Sequence, residues 1–498
     1  MDHFSPSHVP LHDIAAARRL DQAATALLGG DAFVLMQRAG EAAWQVAMQR
    51  WPKARRIAVV CGAGNNGGDG YVLARCARLA GRQVTVIHPA GGGPATPIAQ
   101  RACTAYLAAG GEIGLFPCAL DSFELIVDAL FGIGLNRAPE GEAAALISAI
   151  DAAGVPVLAL DVPSGVDAGR GIASGVAVHA AHTVQFISAH AGLFTGDALE
   201  YLGSWSLEPL DVPATAFGGV LPVADLLHGE ALAAWLPPRR LNTHKGESGR
   251  VLMAGGDHGS GGAVMLASES ALRSGTGLLS VATRASHVAP LLTRRPEAMV
   301  HAVESGDALE PMLVRADVVE LGPGLGQGGW GRDLFARVLA CGKPLVLDAD
   351  ALNLLAQAPQ ALGDAILTPH PGEAARLLGS DTASIQRDRF TAVRALVERY
   401  RCAVVLKGAG SLVAAPGQAV RVIGAGNPGM AVGGMGDLLT GVVAALRGQG
   451  LSAFDAASAG ALLHSLAGDA AAGELGQRGL LPSDLLPHLH RLANPRRA

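Results

Sequence analysis

Arg56-Ile57-Ala58-Val59-Val60 runs straight into Cys61-Gly62-Ala63-Gly64-Asn65-Asn66-Gly67-Gly68-Asp69-Gly70, and Tyr71 to Leu79 follows. The first segment reads as a buried strand, the last as a helix, and the glycine-rich string as the turn between them. Gly62, Gly64 and Gly67 match the spacing GxGxxG, which at such a turn lets a phosphate approach backbone NH groups. The acidic residue that usually accompanies this spacing is missing, because the next strand ends in Ile87-His88-Pro89. The longer string GNNGGDG is more specific. It sets two side-chain amides and a carboxylate in one place, although Asn can also serve only its own turn.

Outward from this string the strand–helix alternation continues. Gln83 to Ile87, Leu125-Ile126-Val127 and Val157-Leu158-Ala159-Leu160 read as further strands. Short apolar runs separated by helical stretches predict a parallel, doubly wound sheet. Trp235 to Arg240 carries paired prolines and reads as a linker. The pattern then restarts with Val251 to Ala254, Val318 to Leu321, Pro344 to Leu347 and Val404 to Leu406. The expectation is α/β throughout, in two domains, 1–225 and 226–498. A chain of 498 residues exceeds what one ordinary core organises.

Composition narrows the function. The mean hydropathy is positive, at +0.31, but no apolar run approaches the roughly 18–20 residues that span a bilayer. Met1 to Pro10 shows no basic patch before an apolar stretch, so no secretory signal is read. The six cysteines are scattered without metal spacing, which suits reduced thiols and a cytoplasmic location. A net charge of -5 argues against a nucleic-acid binder. Only four of the 38 basic residues are Lys, and one of them, Lys407, lies in a glycine-rich turn.

Acids stand at two more strand ends of the first half, Asp128 in Val127-Asp128-Ala129 and Asp161 in Leu160-Asp161-Val162-Pro163-Ser164. Ligands of open α/β sheets bind beyond the carboxyl ends of the strands, so Asn65, Asn66, Asp69, Asp128 and Asp161 are expected in one crevice. Such oxygens suit a hard cation, and a carboxylate also suits proton transfer, with helix capping as the plain alternative for Asp161. In the second half Gly433-Gly434-Met435-Gly436-Asp437 precedes the apolar stretch Leu438 to Leu446. Glycines at a helix start expose NH groups to an anion, and Asp437 is read either as a proton acceptor or as a cap. Val405 to Val413 reads strand, tight turn, strand, placing Lys407 beside NH groups that fit nucleotide phosphates. Thr243-His244-Lys245-Gly246, Asp348-Ala349-Asp350 and Thr368-Pro369-His370-Pro371-Gly372-Glu373 complete the candidate strings.

GNNGGDG, VDALFGIGLNR and DVPSGVD resemble the YjeF N-terminal family, the NAD(P)H-hydrate epimerases, over about residues 10–215. Gln37 and His190 depart from that family, His190 standing where many members have Lys, and neither falls within the site strings. The resemblance implies that Asn65, Asn66, Gly67, Gly68 and Asp69, with Gly132, Ile133, Gly134, Leu135, Asn136, Arg137 and Ala138, hold the hydrate. It implies potassium on Asn66, Asp128 and Ser164, and Asp161 beside the epimerising carbon. From about 236 to 490 the strings resemble the YjeF C-terminal family, the NAD(P)H-hydrate dehydratases of ribokinase-like fold. That resemblance implies Ala263, Gly324, His370 and Asp437 on the hydrate, and Lys407, Gly408, Ala409, Gly410, Ser411 and Gly436 on ADP or ATP with Mg²⁺. Val432 stands where many relatives have Thr, and Ser411 replaces a common Thr. A homo-oligomer is the expected assembly. The rival expectation is a vitamin-precursor kinase fused to a Rossmann-like binding domain.

Overall fold

The computed structural model describes residues 7–135 and 137–495. The chain divides into two compact units, one spanning Pro10–Ala224 and the other Asp225–Ala498 with a short segment ending at Val9.

The first unit is built on a seven-stranded parallel sheet. Its spatial order is Ser204–Glu208, His182–Phe186, Val157–Leu160, Leu125–Ala129, Arg56–Cys61, Gln83–His88 and Glu112–Leu115. Strand order therefore reverses between Arg56–Cys61 and Leu125–Ala129, and the crevice at such a reversal is where ligands of doubly wound sheets bind. Ile57, Val59 and Cys61 pack on one side and Ala58 and Val60 on the other, all fully buried. Burial on both faces is why these strands read as unbroken apolar runs.

The helix after the first strand begins at Asn65, six residues before the sequence predicts, and runs to Leu79. The turn is thus only Gly62 to Gly64, and GNNGGD forms the first helical turns. Glycines disfavour helix in isolation, but close packing demands them here. A Cβ on Gly62 would lie 1.9 Å from the Leu130 carbonyl oxygen, one on Gly67 2.0 Å from that of Gly62, and one on Gly68 2.3 Å from Met36.

The second unit repeats the reversal. Met299–Ala302, Leu278–Thr283, Arg250–Ala254, Val318–Leu321, Leu345–Leu347, Ala365–Leu367 and Ala403–Leu406 lie side by side and parallel. Leu412–Ala414 and Val420–Ile423 continue the row antiparallel, and the tight turn that carries Lys407 joins Ala403–Leu406 to Leu412–Ala414. The Gly261–Arg273 and Met435–Gly448 helices pack together over this sheet through Val264, Ala267, Ala271, Leu438, Leu439 and Val442. The strand order turns between Arg250–Ala254 and Val318–Leu321, so the helix start bearing Ala263 and the loop bearing Gly324 lie just past that point.

Candidate functional site

At the reversal of the first sheet lies a cavity of about 610 Å³, within the usual range for small-molecule sites. Asn65, Asn66 and Asp69 reach it from the first turns of the Asn65–Leu79 helix, and Leu130 to Leu135 and Asp161 from the ends of neighbouring strands. Asn66 Nδ2 donates to the carbonyls of Phe131 (3.0 Å) and Leu160 (3.2 Å), tying three strand ends together. Its Oδ1 is buried and has no partner among the described residues.

Beneath this wall Asp128 is wholly buried. It accepts from the Ser164 hydroxyl (2.6 Å), the Ser164 NH (2.8 Å) and the Leu130 NH (3.2 Å), while the Phe131 NH donates to Ser164 Oγ (2.9 Å). Burial pushes the Asp128 carboxyl up to about 6, against the pull of the Ser164 hydrogen bonds. Asp161 adopts a left-handed backbone, φ 64°, a conformation that costs a non-glycine residue about 1–3 kcal/mol and persists where surroundings enforce it. It does not cap a helix. Oδ2 accepts from the Ile133 NH (3.3 Å) and Oδ1 meets His190 Nε2 at 2.7 Å.

Not every residue of the expected set reaches the cavity. Gly67 and Gly68 are buried in helix packing and do not line it. Gly132 does, and a Cβ there would crowd Asp161 Oδ2 at 2.9 Å. Arg137 and Ala138 are not among the lining residues, and Asn136 lies outside the described residues.

In the second unit Asp437 is the third residue of the Met435–Gly448 helix. The N-cap is Gly434, φ 93°, with no side-chain cap, and Asp437 has no hydrogen-bond partner among the described residues, so capping does not explain it. Burial, and then the negative charge of Asp348, push its carboxyl up to about 6, with Lys407 pulling the other way. Lys407 is held by acids that the sequence reading did not connect to it. Its ammonium sits 2.8 Å from Asp348 Oδ1 and 3.8 Å from Glu373 Oε2, and against Gly436, where a Cβ would lie 3.1 Å away. Burial works against that ammonium, but Asp348 and Glu373 outweigh it and hold its pKa above the ordinary lysine value. Asp348 Oδ2 also accepts from Thr440 Oγ1 at 2.8 Å.

The remaining residues of this set divide. Gly324, φ 61°, abuts Ala263, where its Cβ would stand 3.3 Å from the Ala263 Cβ. His370 caps the Pro371–Leu378 helix, accepting from the Gly372 NH at 3.0 Å, while Glu373 accepts from the His370 NH at 2.8 Å. Glu373 thereby links the capped turn to Lys407. Ser411 closes the turn after Lys407 by donating to the Gly408 carbonyl at 3.0 Å, and Ala409 is exposed beside it.

Two family models match the chain, one described as YjeF-related protein N-terminus over residues 32–192 and one as NAD(P)H-hydrate dehydratase over 251–491. A bifunctional NAD(P)H-hydrate repair enzyme of Escherichia coli is 46% identical over 482 residues, 96% of this chain and 93% of its own length. Its counterpart from Coxiella burnetii is 48% identical over 464 residues, 93% of this chain and 95% of its own. The chain belongs to the bifunctional NAD(P)H-hydrate repair enzymes. A ribokinase-like superfamily protein from Enterococcus faecalis, solved by crystallography, is 29% identical with a TM-score of 0.51, covering 55% of this chain and 98% of that one. A Rossmann-like epimerase domain thus precedes a ribokinase-like dehydratase domain, and the full-length match to repair enzymes sets the kinase reading aside.

Three groups escaped the reading of the sequence. Asp21 enters the epimerase cavity from the Ile14–Leu27 helix. It lies four residues from buried Ala17, so an acid on the inward stripe was the available signal. His190, outside the site strings, is 2% exposed and pairs with Asp161, so this departure from the family does touch the site. Glu320 stands inside an apolar strand of the dehydratase domain, fully buried, with neither carboxyl oxygen partnered. Burial, then Asp348 and Asp437, raise its pKa well above the ordinary 4.5. A raised folded pKa gives stability that is full below the unfolded value and lost as pH rises. Relative to wild type, Glu320→Gln should therefore melt progressively higher as pH is raised from about 4 to about 8. A melting difference that stays flat over that range would show that Glu320 is ionised in the fold.

Proposed function

We propose that the epimerase domain interconverts the R and S forms of NAD(P)H hydrate in the cavity of the first unit. The dehydratase domain then removes water from the S form at the expense of ADP or ATP. The observation that carries the first half is Asp161, held in a strained backbone at the cavity wall and hydrogen-bonded to His190. Asn65, Asn66, Asp69 and the loop from Gly132 to Leu135 are its binding wall, and Arg18, the one Arg or Lys among the lining residues, suits the ligand's phosphates.

Asn66, Asp128 and Ser164 fit a potassium ion on two grounds. The Asn66 Oδ1 is a buried acceptor without a donor among the described residues, and Asp128 is a wholly buried carboxylate. Amide, hydroxyl and carboxylate oxygens form a hard donor set. Bound there, the ion would neutralise Asp128 and stiffen the Leu130–Gly132 strand end.

In the dehydratase domain Asp437 takes the proton of the substrate hydroxyl as a phosphoryl group arrives, turning a poor leaving group into a good one. The NH groups at the start of the Met435–Gly448 helix face the transferring phosphoryl group, and Mg²⁺ accompanies the nucleotide. Lys407 acts through Asp348 and Glu373, keeping the acids around Asp437 from repelling the incoming anion. The six cysteines stand unpaired, consistent with the reducing cytoplasm we infer, and sizing of the purified chain tests a homo-oligomer.

One assay tests the division of labour. Mixed hydrates with ADP or ATP should return fully to reduced nicotinamide, read by its absorbance. With Asp161→Asn the S form should return at the wild-type rate and the R form only at the spontaneous rate. Equal recovery of both epimers by the variant would remove Asp161 from the epimerisation.

A further inference from the structure

Asp21 is an unassigned carboxylate in the epimerase cavity. Ala17, Asp21 and Thr25, at i, i+4 and i+8 of the Ile14–Leu27 helix, form a stripe along its wall. Leu20 and Ala24, on the adjoining face, anchor the helix against Ala39, Ile187 and Leu210. Asp161 and His190 reach the same cavity from the strand ends. His190 is almost wholly buried, with its Nδ1 unpartnered, and its backbone NH donates to Gln185 at 2.8 Å. Two separate elements of the wall thus carry proton-handling groups around one space.

Inverting a hydroxyl-bearing carbon by loss and return of water needs such groups on both faces of the ring. We propose that Asp21 is the second proton-transfer residue of the epimerisation, serving one face of that carbon while the Asp161–His190 pair serves the other. This rests on the epimerase reading above. The protonated group on one wall donates to the hydroxyl, and the carbon–oxygen bond breaks as the lone pair of the adjacent ring nitrogen forms a carbon–nitrogen double bond. Water leaves. A water molecule attacks the same carbon from the other face, its proton passes to the ionised group on the other wall, and the double-bond pair returns to nitrogen. One oxygen is exchanged, no electrons are gained or lost, and solvent restores the proton to the first wall.

The working form therefore carries one proton across the two walls. The charged and titratable groups that face Asp21 are Arg18 on its own helix, Asp69, Asp161 and His190. Asp21 is itself exposed on the cavity wall, where desolvation and then the charge of Asp161 push its carboxyl up to about 7, with His190 opposing. Below that value Asp21 holds the proton the hydroxyl needs, and above it Asp21 has lost it. Epimerase kcat/KM should accordingly fall as pH rises through about 7.

The test uses the full-length protein with Asp21→Asn, separated epimers and oxygen-18-labelled water. Wild type should incorporate label at the rate at which it epimerises. The variant should lose about 10²–10⁴-fold in epimerase turnover and lack the high-pH limb, with dehydratase turnover retained and a melting temperature no lower than that of wild type. A merely structural Asp21 would slow turnover but leave the limb in place. Near-wild-type turnover in the variant, an unchanged limb, or epimerisation by wild type without label overturns the proposal. A wild-type protein that does not accelerate epimerisation at all overturns the underlying reading as well, and is distinguished by that control alone.

Discussion

Asp437→Asn is expected to lower dehydratase turnover by about 10²–10⁴-fold, the usual contribution of a positioned acid or base, while leaving epimerisation untouched. The substitution keeps the shape of the side chain and removes only its capacity to accept a proton. The geometry makes this a clean test, because Asp437 sits at the third helical position and leaves the cap to Gly434. Its carboxyl is raised to about 6 by burial and by Asp348, so wild-type turnover should fall as pH drops through about 6 and the base becomes protonated. Stability follows the same linkage with a definite sign. A carboxyl raised in the fold gives stability that is full below its unfolded pKa and lost as pH rises through the folded one. Asp437→Asn should therefore melt no lower than wild type at about pH 8, with the gap closing toward pH 4. A helix cap predicts the opposite, near-silent turnover in the Asn variant and a loss of about 1 kcal/mol in Asp437→Ala. Turnover and melting temperature, measured on both variants across pH, separate the two roles.

The strands were legible because buried parallel strands are continuous apolar runs and their connecting turns are rich in glycine, whereas the strand order came only from the structure. Val157–Leu160 and Val318–Leu321 begin and end where their sequences predict. The start of the Asn65–Leu79 helix was not legible. Propensity counts glycines against a helix, whereas Gly67 and Gly68 are there because Gly62 and Met36 leave no room for a Cβ. Asn66, Asp128, Asp161 and Ser164 converge as strand-end logic anticipates, since each lies one or a few residues past a predicted strand. Asp21 and His190 obey no such rule. They meet Asp161 across 140 and 29 residues of chain, and only tertiary packing brings them there. Lys407 shows what the sequence leaves out. Its glycine-rich turn suggested a place beside nucleotide phosphates, but the acid it pairs with, Asp348, lies 59 residues away in a string whose partner nothing local specified.

That ion pair carries the second large expectation, Lys407→Ala destabilising the dehydratase domain by about 3–5 kcal/mol, the range for removing one partner of a buried pair. Lys407 is the cation at the centre of a group of acids. Asp348 is 2.8 Å away and 2% exposed at its side chain, Glu373 is 3.8 Å away and 6% exposed, and Asp437 adds to the negative field. Without the ammonium, the Asp348 carboxylate keeps the Thr440 hydroxyl as its side-chain donor among the described residues, and it must either take up a proton or stay charged and buried. The melting transition should fall by on the order of 10 °C. Nucleotide affinity would fall too, but as a consequence of that repulsion and not of a lost phosphate contact. A double substitution distinguishes the two causes. Lys407→Met with Asp348→Asn removes both charges, so it should recover most of the stability lost in the single variant, a coupling that contact pairs show in such cycles. If Lys407 instead served only the phosphate, the single variant would melt within about 0.5 kcal/mol of wild type, as surface changes do, and the double substitution would restore nothing. Because Asp348 and Glu373 hold the lysine pKa above its ordinary value, the ammonium is charged throughout the neutral range. The destabilisation should persist undiminished from about pH 6 to about pH 9 and diminish only above the ordinary lysine range.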